Sequence, residues 1–201
     1  VQASRSFQPD PGMVMWIILS VYALYRWSET GKWRWALLAG AFGGIAILTK
    51  AVAVYIIAGA AVAAVHFTTG IKKGYKNHQV WSIALLTITP ALVFYLTRGG
   101  RASEYISSWT VSLSHLLLQP SLYIRWLSFV GDLMGLAVLL LALIGVILSK
   151  GRNRALLVGL WVGYFLYGLS LPYQMYTHNY YHLQLIPIIA ISLIPVAEII
   201  L

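Results

Sequence analysis

The amino-acid sequence predicts an all-α fold, a polytopic transmembrane bundle of about seven helices with a short interfacial helix. Hydrophobic residues make up 60% of the 201 residues and charged residues only 9%. Soluble domains carry about 25% charged residues, so a chain this poor in charge cannot cover a water-facing surface. The net charge of +9 lies in short connections between apolar runs, where it sets membrane orientation and does not indicate nucleic-acid binding.

Four helices are predicted in the first half of the chain. Residues 35–67 are too long for one comfortable span and contain a single charge, Lys50, in the middle. Because a lysine at the centre of one long helix would be costly in lipid, we predict two short helices that meet in a turn at Thr49 and Lys50. The predicted helices of this half span residues 12–27, 35–49, 51–67 and 80–97.

The second half is predicted to contain one long connection and three helices. The connection, residues 98–127, interleaves charged residues with tryptophan and tyrosine, and residues 108–119 show scattered helical periodicity. Aromatic residues are favoured at the membrane–water interface, so we predict a short interfacial helix here. The predicted helices of this half span residues 128–149, 155–171 and 183–201.

The lysine and arginine residues set the orientation of this bundle. With residues 1–11 placed outside, the inside connections hold nine of these residues and the outside connections five. The positive-inside rule therefore places residues 1–11 on the extracytoplasmic side. The inside set is Arg26, Lys32, Arg34, Lys72, Lys73, Lys76, Lys150, Arg152 and Arg154, and the outside set is Arg5, Lys50, Arg98, Arg101 and Arg125.

Asp10 and Lys50 are candidate site residues on the predicted outer side. Asp10 could accept amide hydrogen bonds at the start of a helix, or it could take a proton from an acceptor hydroxyl at the water–membrane boundary. Lys50 could extend its ammonium to water from a helix end, or it could pair with a phosphate as a compact point charge.

The segment from Tyr173 to Pro187 and the pair Arg98 and Arg101 are further candidates. The segment gathers Tyr181, His178 and His182 just before a helix, a set suited to hydrogen bonding to a phosphate or a sugar. A zinc site would need at least one more ligand, so we assign no metal, although a divalent ion is left open. Arg98 and Arg101 flank two glycines and could hold a phosphate, or they could be ordinary helix-end charges.

Three motifs resemble the middle of polytopic glycosyltransferases of the GT-C kind. Within that group, the motifs are similar to those of the bacterial dolichyl-phosphate-mannose protein mannosyltransferase-like and aminoarabinose-transferase-like proteins. The motifs are an Asp-Pro before a helix, a glycine-rich helix that ends in Leu-Thr-Lys, and a late His-x-Tyr-Tyr that leads into a helix with proline. Their residues are Asp10 and Pro11; Gly40, Gly43, Gly44, Leu48, Thr49 and Lys50; and His178, Tyr180, Tyr181 and Pro187.

The resemblance implies an enzyme that takes a sugar from a polyprenyl-phosphate carrier and passes it to a lipid, glycan or protein acceptor outside the membrane. Asp10 would then belong to the acidic site near the acceptor. Lys50, His178 and Tyr181 would lie near the donor phosphate. The resemblance also implies the bacterial inner membrane, and no organic cofactor is expected.

The sequence departs from the family pattern in one respect, and two other functions are alternatives to a glycosyltransferase. The family's leading acidic motif would precede Val1, so we expect residues 1–201 to be a single transmembrane domain from inside a longer protein, inactive alone. A transporter or flippase of lipid-linked glycans is the first rival, and it would need polar residues at mid-membrane or paired broken helices. A non-catalytic membrane subunit is the second, and it leaves the outer cluster of His, Tyr and Asp unexplained.

Overall fold

The computed structural model describes residues 9–98 and 113–201, and these residues form helices and short connections without a strand. The predicted all-α class is therefore confirmed. In chain order the elements are α1 (Asp10–Thr30), α2 (Trp33–Thr49), α3 (Ala53–Thr69), α4 (Ile71–Gly74), α5 (His78–Arg98), a 3-10 turn (Ser114–Leu118), α6 (Pro120–Met134), α7 (Leu136–Leu148), α8 (Gly151–Ser170), α9 (Pro172–Thr177), a 3-10 helix (Asn179–His182), α10 (Leu185–Ser192) and α11 (Ile194–Ile200).

The predicted pair of short helices around Lys50 is confirmed. α2 ends at Thr49, Lys50 is extended with φ −159° and ψ 120°, and α3 begins at Ala53. Lys50 therefore lies at the end of a helix and not in the middle of a span. Because α1 and α2 follow one another through the short connection at Gly31, the start of α1 and the end of α2 lie at the same end of the bundle.

The prediction of a single helix over residues 128–149 is wrong. The structure has two helices there, α6 and α7, which meet at Gly135 with a bend of 93°. Gly135 has a φ of 82°, a left-handed conformation that glycine adopts without steric cost and that ends a helix. α6 begins at Pro120, so the last part of the predicted connection 98–127 is helical. Hydropathy missed the break because apolar residues lie on both sides of it.

Two helical stretches in the described part of the chain are long and apolar enough to cross a membrane, His78–Thr97 and Asn179–Ile200. A third counts if α6 and α7 form one broken span. α2 and α3 are apolar but have 17 residues each, which at about 1.5 Å per residue gives roughly 25 Å. Many large apolar side chains are exposed on the helices, as expected for a chain surrounded by lipid. The count of seven spans stays a prediction.

α3 and α8 pack closely because glycines meet at their crossing. A Cβ added at Gly59 would overlap the carbonyl oxygen of Gly159, and one at Gly163 would press on the backbone of Tyr55. Small residues let transmembrane helices approach backbone to backbone. Since α8 leads directly into residues 171–184, this crossing sets where that segment lies relative to α1–α3.

Candidate active site

An ion pair joins the start of α1 to the end of α2. Lys50 Nζ donates to Asp10 Oδ1 across 2.7 Å. The Asp10 side chain is 3% exposed, whereas the Lys50 side chain is 22% exposed. The pair therefore has a buried anionic side and a cationic side that a ligand can reach.

The start of α1 explains how Asp10 comes to face Lys50. Pro9 is the N-cap residue of α1, and no side chain forms a capping hydrogen bond there. Pro11 lies in the first turn, where its missing N–H costs nothing. Asp10 occupies the same turn, where a negative charge interacts favourably with the helix dipole. Its carboxylate binds the Lys50 ammonium, so the capping role weighed for it is not what the structure shows.

Two tyrosines of the 3-10 helix Asn179–His182 pack around the Lys50 ammonium. Lys50 Nζ lies 4.6 Å from the ring centre of Tyr181 and 5.8 Å from that of Tyr180. The His178 ring packs on both, with centroid distances of 5.9 Å to Tyr181 and 5.0 Å to Tyr180. Cation–π contacts at these distances hold an ammonium without neutralising its charge. We call the five residues the Lys50 cluster, namely Asp10, Lys50, His178, Tyr180 and Tyr181.

A second polar group, which we call the Trp126 cluster, consists of Trp126, Tyr164 and His182. Trp126 Nε1 donates to the Tyr164 hydroxyl across 2.8 Å, and that hydroxyl lies 2.7 Å from His182 Nδ1. An indole only donates, so the arrangement that satisfies both hydrogen bonds has Tyr164 donating to Nδ1. His182 Nε2 makes no hydrogen bond of ordinary geometry among the described residues. Gly168 makes room for the Trp126 ring, since a Cβ there would overlap it. This cluster ties α6, α8 and the 3-10 helix together.

Two further buried polar side chains, Tyr167 and Gln184, were not found from the sequence. The Tyr167 ring packs on Tyr55 with a centroid distance of 6.1 Å, and its hydroxyl lies beside Gln184 and within electrostatic range of Asp10. Among the described residues, neither the Tyr167 hydroxyl nor either amide atom of Gln184 makes a hydrogen bond of ordinary geometry. Each is a single polar residue in a mostly apolar stretch, which gives a sequence pattern no signal.

An apolar groove of about 920 Å³ begins at Gln184 and runs between α1, α8, α10 and α11. Its wall consists mainly of isoleucine, leucine and valine side chains from these helices. The far end carries Lys150, Asn153 and Glu198. Because Gln184 is near the start of its helix and Glu198 near the end of the next, the groove extends along most of the length of α10 and α11.

The predicted site residues divide into three groups in the structure. Those gathered in the Lys50 cluster are Asp10, Lys50, His178 and Tyr181. His182 is fully buried in the Trp126 cluster and contacts Tyr164 and Phe129. The side chain of Arg98 and all of Arg101 lie outside the described residues. Within residues 9–98 and 113–201, no group of three His, Cys, Asp or Glu residues could hold a metal ion.

Comparison with known proteins finds a family that the N-terminal region resembles. Residues 1–95 match the family model of dolichyl-phosphate-mannose-protein mannosyltransferase. Over these residues the chain is similar to that family. The match includes Asp10 and Lys50 and confirms the predicted family. It supports a glycosyltransferase of the GT-C kind embedded in a membrane. Neither a curated protein nor a solved structure matches the chain.

Proposed function

We propose that this chain is part of a membrane glycosyltransferase that takes a sugar from a polyprenyl-phosphate donor and passes it to an acceptor on the extracytoplasmic face. The observation that supports this most strongly is the partly exposed Lys50 ammonium, fixed by Asp10, together with an apolar groove that begins at Gln184, three residues after Tyr181 of the Lys50 cluster. A cation for a phosphate beside a channel for a hydrocarbon tail is what a lipid-linked phosphosugar requires. The bacterial inner membrane is the proposed location.

Lys50 is the proposed ligand of the donor phosphate. An ammonium has three donors, and Asp10 accepts one of them. The other two are available for phosphate oxygens, and charge-assisted hydrogen bonds of this kind are stronger than neutral ones. Tyr180 and Tyr181 keep the ammonium in place without competing for its charge. His178, Arg98 and Arg101 are proposed to add contacts to the phosphate.

The apolar groove is the proposed site of the polyprenyl tail. Its walls are hydrocarbon for most of their length, and one end lies at Gln184, beside Tyr167. A tail in the groove would remove apolar surface from contact with water, which stabilises binding by about 25 cal/mol per Å². The tail would also align the phosphate with Lys50.

The proposed reaction breaks the bond between the anomeric carbon of the sugar and a phosphate oxygen, while the acceptor hydroxyl bonds to that carbon and releases its proton to the departing phosphate or to water. Negative charge develops on the departing phosphate, and a preorganised ammonium stabilises it. Lys50 supplies that charge. We assign Asp10 to positioning Lys50, because its carboxylate is buried and already accepts the ammonium, which leaves it poorly placed to take the proton of an incoming acceptor.

A transfer assay tests this proposal. The full-length protein in membranes would be given radiolabelled polyprenyl-phosphate sugars, and Lys50→Ala, Asp10→Asn and His178→Ala would be compared with wild type at equal expression. We expect transfer by wild type and strong loss in Lys50→Ala. Absence of transfer from every donor, together with transbilayer movement of a labelled lipid-linked glycan, would replace the transferase with a transporter.

A further inference from the structure

We infer that Tyr167 and Gln184 form a subsite for hydroxyl groups of the donor's sugar. This inference rests on the proposed function, because it assigns a role within the same donor site. It separates the recognition of the sugar from the recognition of the phosphate. Lys50 binds the phosphate, and the uncharged side chains of Tyr167 and Gln184 bind hydroxyl groups of the sugar.

Burial without hydrogen bonding is the first observation behind this subsite. Tyr167 is 0% exposed and Gln184 1% exposed. The Tyr167 hydroxyl lies close enough to the Gln184 amide for a weak hydrogen bond, but among the described residues neither the hydroxyl nor either amide atom makes one of ordinary geometry. Buried polar groups in native proteins almost always have partners, so three unpaired atoms in two adjacent side chains indicate a missing polar partner. In a binding site that partner is the ligand, or the water that the ligand displaces.

The position of the two side chains is the second observation. Gln184 lines the end of the apolar groove, and Tyr167 lies beside Gln184 and within electrostatic range of Asp10 and Tyr181. A donor whose tail fills the groove and whose phosphate contacts Lys50 would carry its sugar within this region. The unpaired atoms therefore lie where the sugar is expected.

The chemistry of the unpaired atoms identifies the ligand group. The Gln184 amide presents two N–H donors and one acceptor oxygen, and the Tyr167 hydroxyl both donates and accepts. A phosphate oxygen only accepts, so it would leave the amide carbonyl unpaired. A sugar carries several hydroxyls, each of which donates and accepts, so it can pair with the amide oxygen as well as with the donors. The pair is also uncharged, which suits a neutral hexose or pentose.

Gln174 provides a matched control for the experiment. It is another buried glutamine of the same segment, 5% exposed, with an unpaired side-chain oxygen, but it does not line the groove. Gln174→Leu and Gln184→Leu remove the same polar group from similar surroundings. Only the second is expected to affect recognition of the sugar.

The experiment measures, in the full-length protein in membranes, the KM for the sugar-loaded donor and the inhibition constant of sugar-free polyprenyl phosphate. For Tyr167→Phe and Gln184→Leu we expect the KM to rise about ten-fold or more and the inhibition constant to change less than two-fold. Gln174→Leu should leave the ratio of the two constants as in wild type. A deoxy donor that lacks the hydroxyl bound by Gln184 should have a higher KM than the complete donor with wild type, and the same KM as the complete donor with Gln184→Leu.

The outcomes separate failure of the subsite from failure of the proposed function. One outcome is that wild type transfers the sugar while both variants show the wild-type ratio of donor KM to inhibition constant. In that case the unpaired atoms are satisfied by water alone and the subsite is wrong. If the variants weaken sugar-loaded and sugar-free lipid equally, the two residues act on the phosphate or the tail, which also overturns it. A wild type that neither transfers the sugar nor binds either lipid overturns the proposed function itself.

Discussion

The Lys50 cluster and the Trp126 cluster both combine aromatic and polar side chains but differ in how far a ligand can reach their polar groups. In the Trp126 cluster each member bonds another member, and its three side chains are nearly or fully buried. In the Lys50 cluster the lysine is partly exposed and keeps donors that Asp10 does not occupy. A closed cluster fixes neighbouring elements, whereas an open one can accept a ligand. Substitutions in the two should therefore have different consequences.

Removal of the Lys50 ammonium should have the largest effect on transfer. Loss of one preorganised donor to developing charge costs about 10²–10³ in rate, and we expect Lys50→Ala to fall in that range. Asp10→Asn should cost less, about ten-fold, because the ammonium remains but loses its buried partner. Steady-state transfer rates in membranes would measure both. Lys76→Ala, an exposed lysine elsewhere in the chain, should retain wild-type activity. Equal rates for Lys50→Ala and wild type would contradict the assignment.

Removal of the Tyr164 hydroxyl from the Trp126 cluster should reduce the stability of the protein more than its transfer activity. Tyr164→Phe leaves the Trp126 indole and His182 Nδ1 without their partner, and each unpaired buried group costs about 1–3 kcal/mol. We expect a lower midpoint of thermal unfolding in detergent, with transfer at low temperature reduced only a few-fold. Tyr22→Phe, at a 53% exposed tyrosine, is the matched control and should not shift the midpoint. An unchanged midpoint for Tyr164→Phe would show that the cluster does not hold the fold.

Changes at Tyr181 should have the smallest effect. A cation–π contact contributes about 0.5–1 kcal/mol at partly exposed sites, so Tyr181→Leu should raise the KM for the donor roughly two- to five-fold. Tyr181→Phe keeps the ring and should be closer to wild type than Tyr181→Leu. The ordering of the two variants is the informative quantity. If leucine were tolerated better than phenylalanine, the aromatic face would not be what holds Lys50.

The sequence could predict the location of the Lys50 cluster because unusual residues mark it. A single lysine within 33 largely apolar residues predicts a helix break, and the structure has one at that point. A helix that begins at Asp10 and returns to end at Thr49 then brings both residues to one end of the bundle. The direct contact between Asp10 and Lys50 could not be derived in the same way, because it depends on side-chain orientation across 40 positions of sequence.

Other features were outside the reach of sequence patterns for identifiable reasons. The break at Gly135 lies between two apolar segments, so hydropathy does not change across it. His178 and His182 are four residues apart and look equivalent, yet the first packs on the Lys50 tyrosines while the second is buried against Tyr164. The two are separated because His178 is extended, with φ −143° and ψ 134°, and precedes the 3-10 helix that contains His182, so they do not share one helical face.

Equilibrium binding of sugar-free polyprenyl phosphate to the full-length protein tests the central claim most directly, namely that Lys50 binds the donor phosphate. Wild type, Lys50→Ala and Tyr164→Phe would be compared well below the unfolding temperature of each. We predict affinity at least about ten-fold weaker for Lys50→Ala, from the loss of a charge-assisted contact, and within two-fold of wild type for Tyr164→Phe. Equal affinity of Lys50→Ala and wild type would contradict the account.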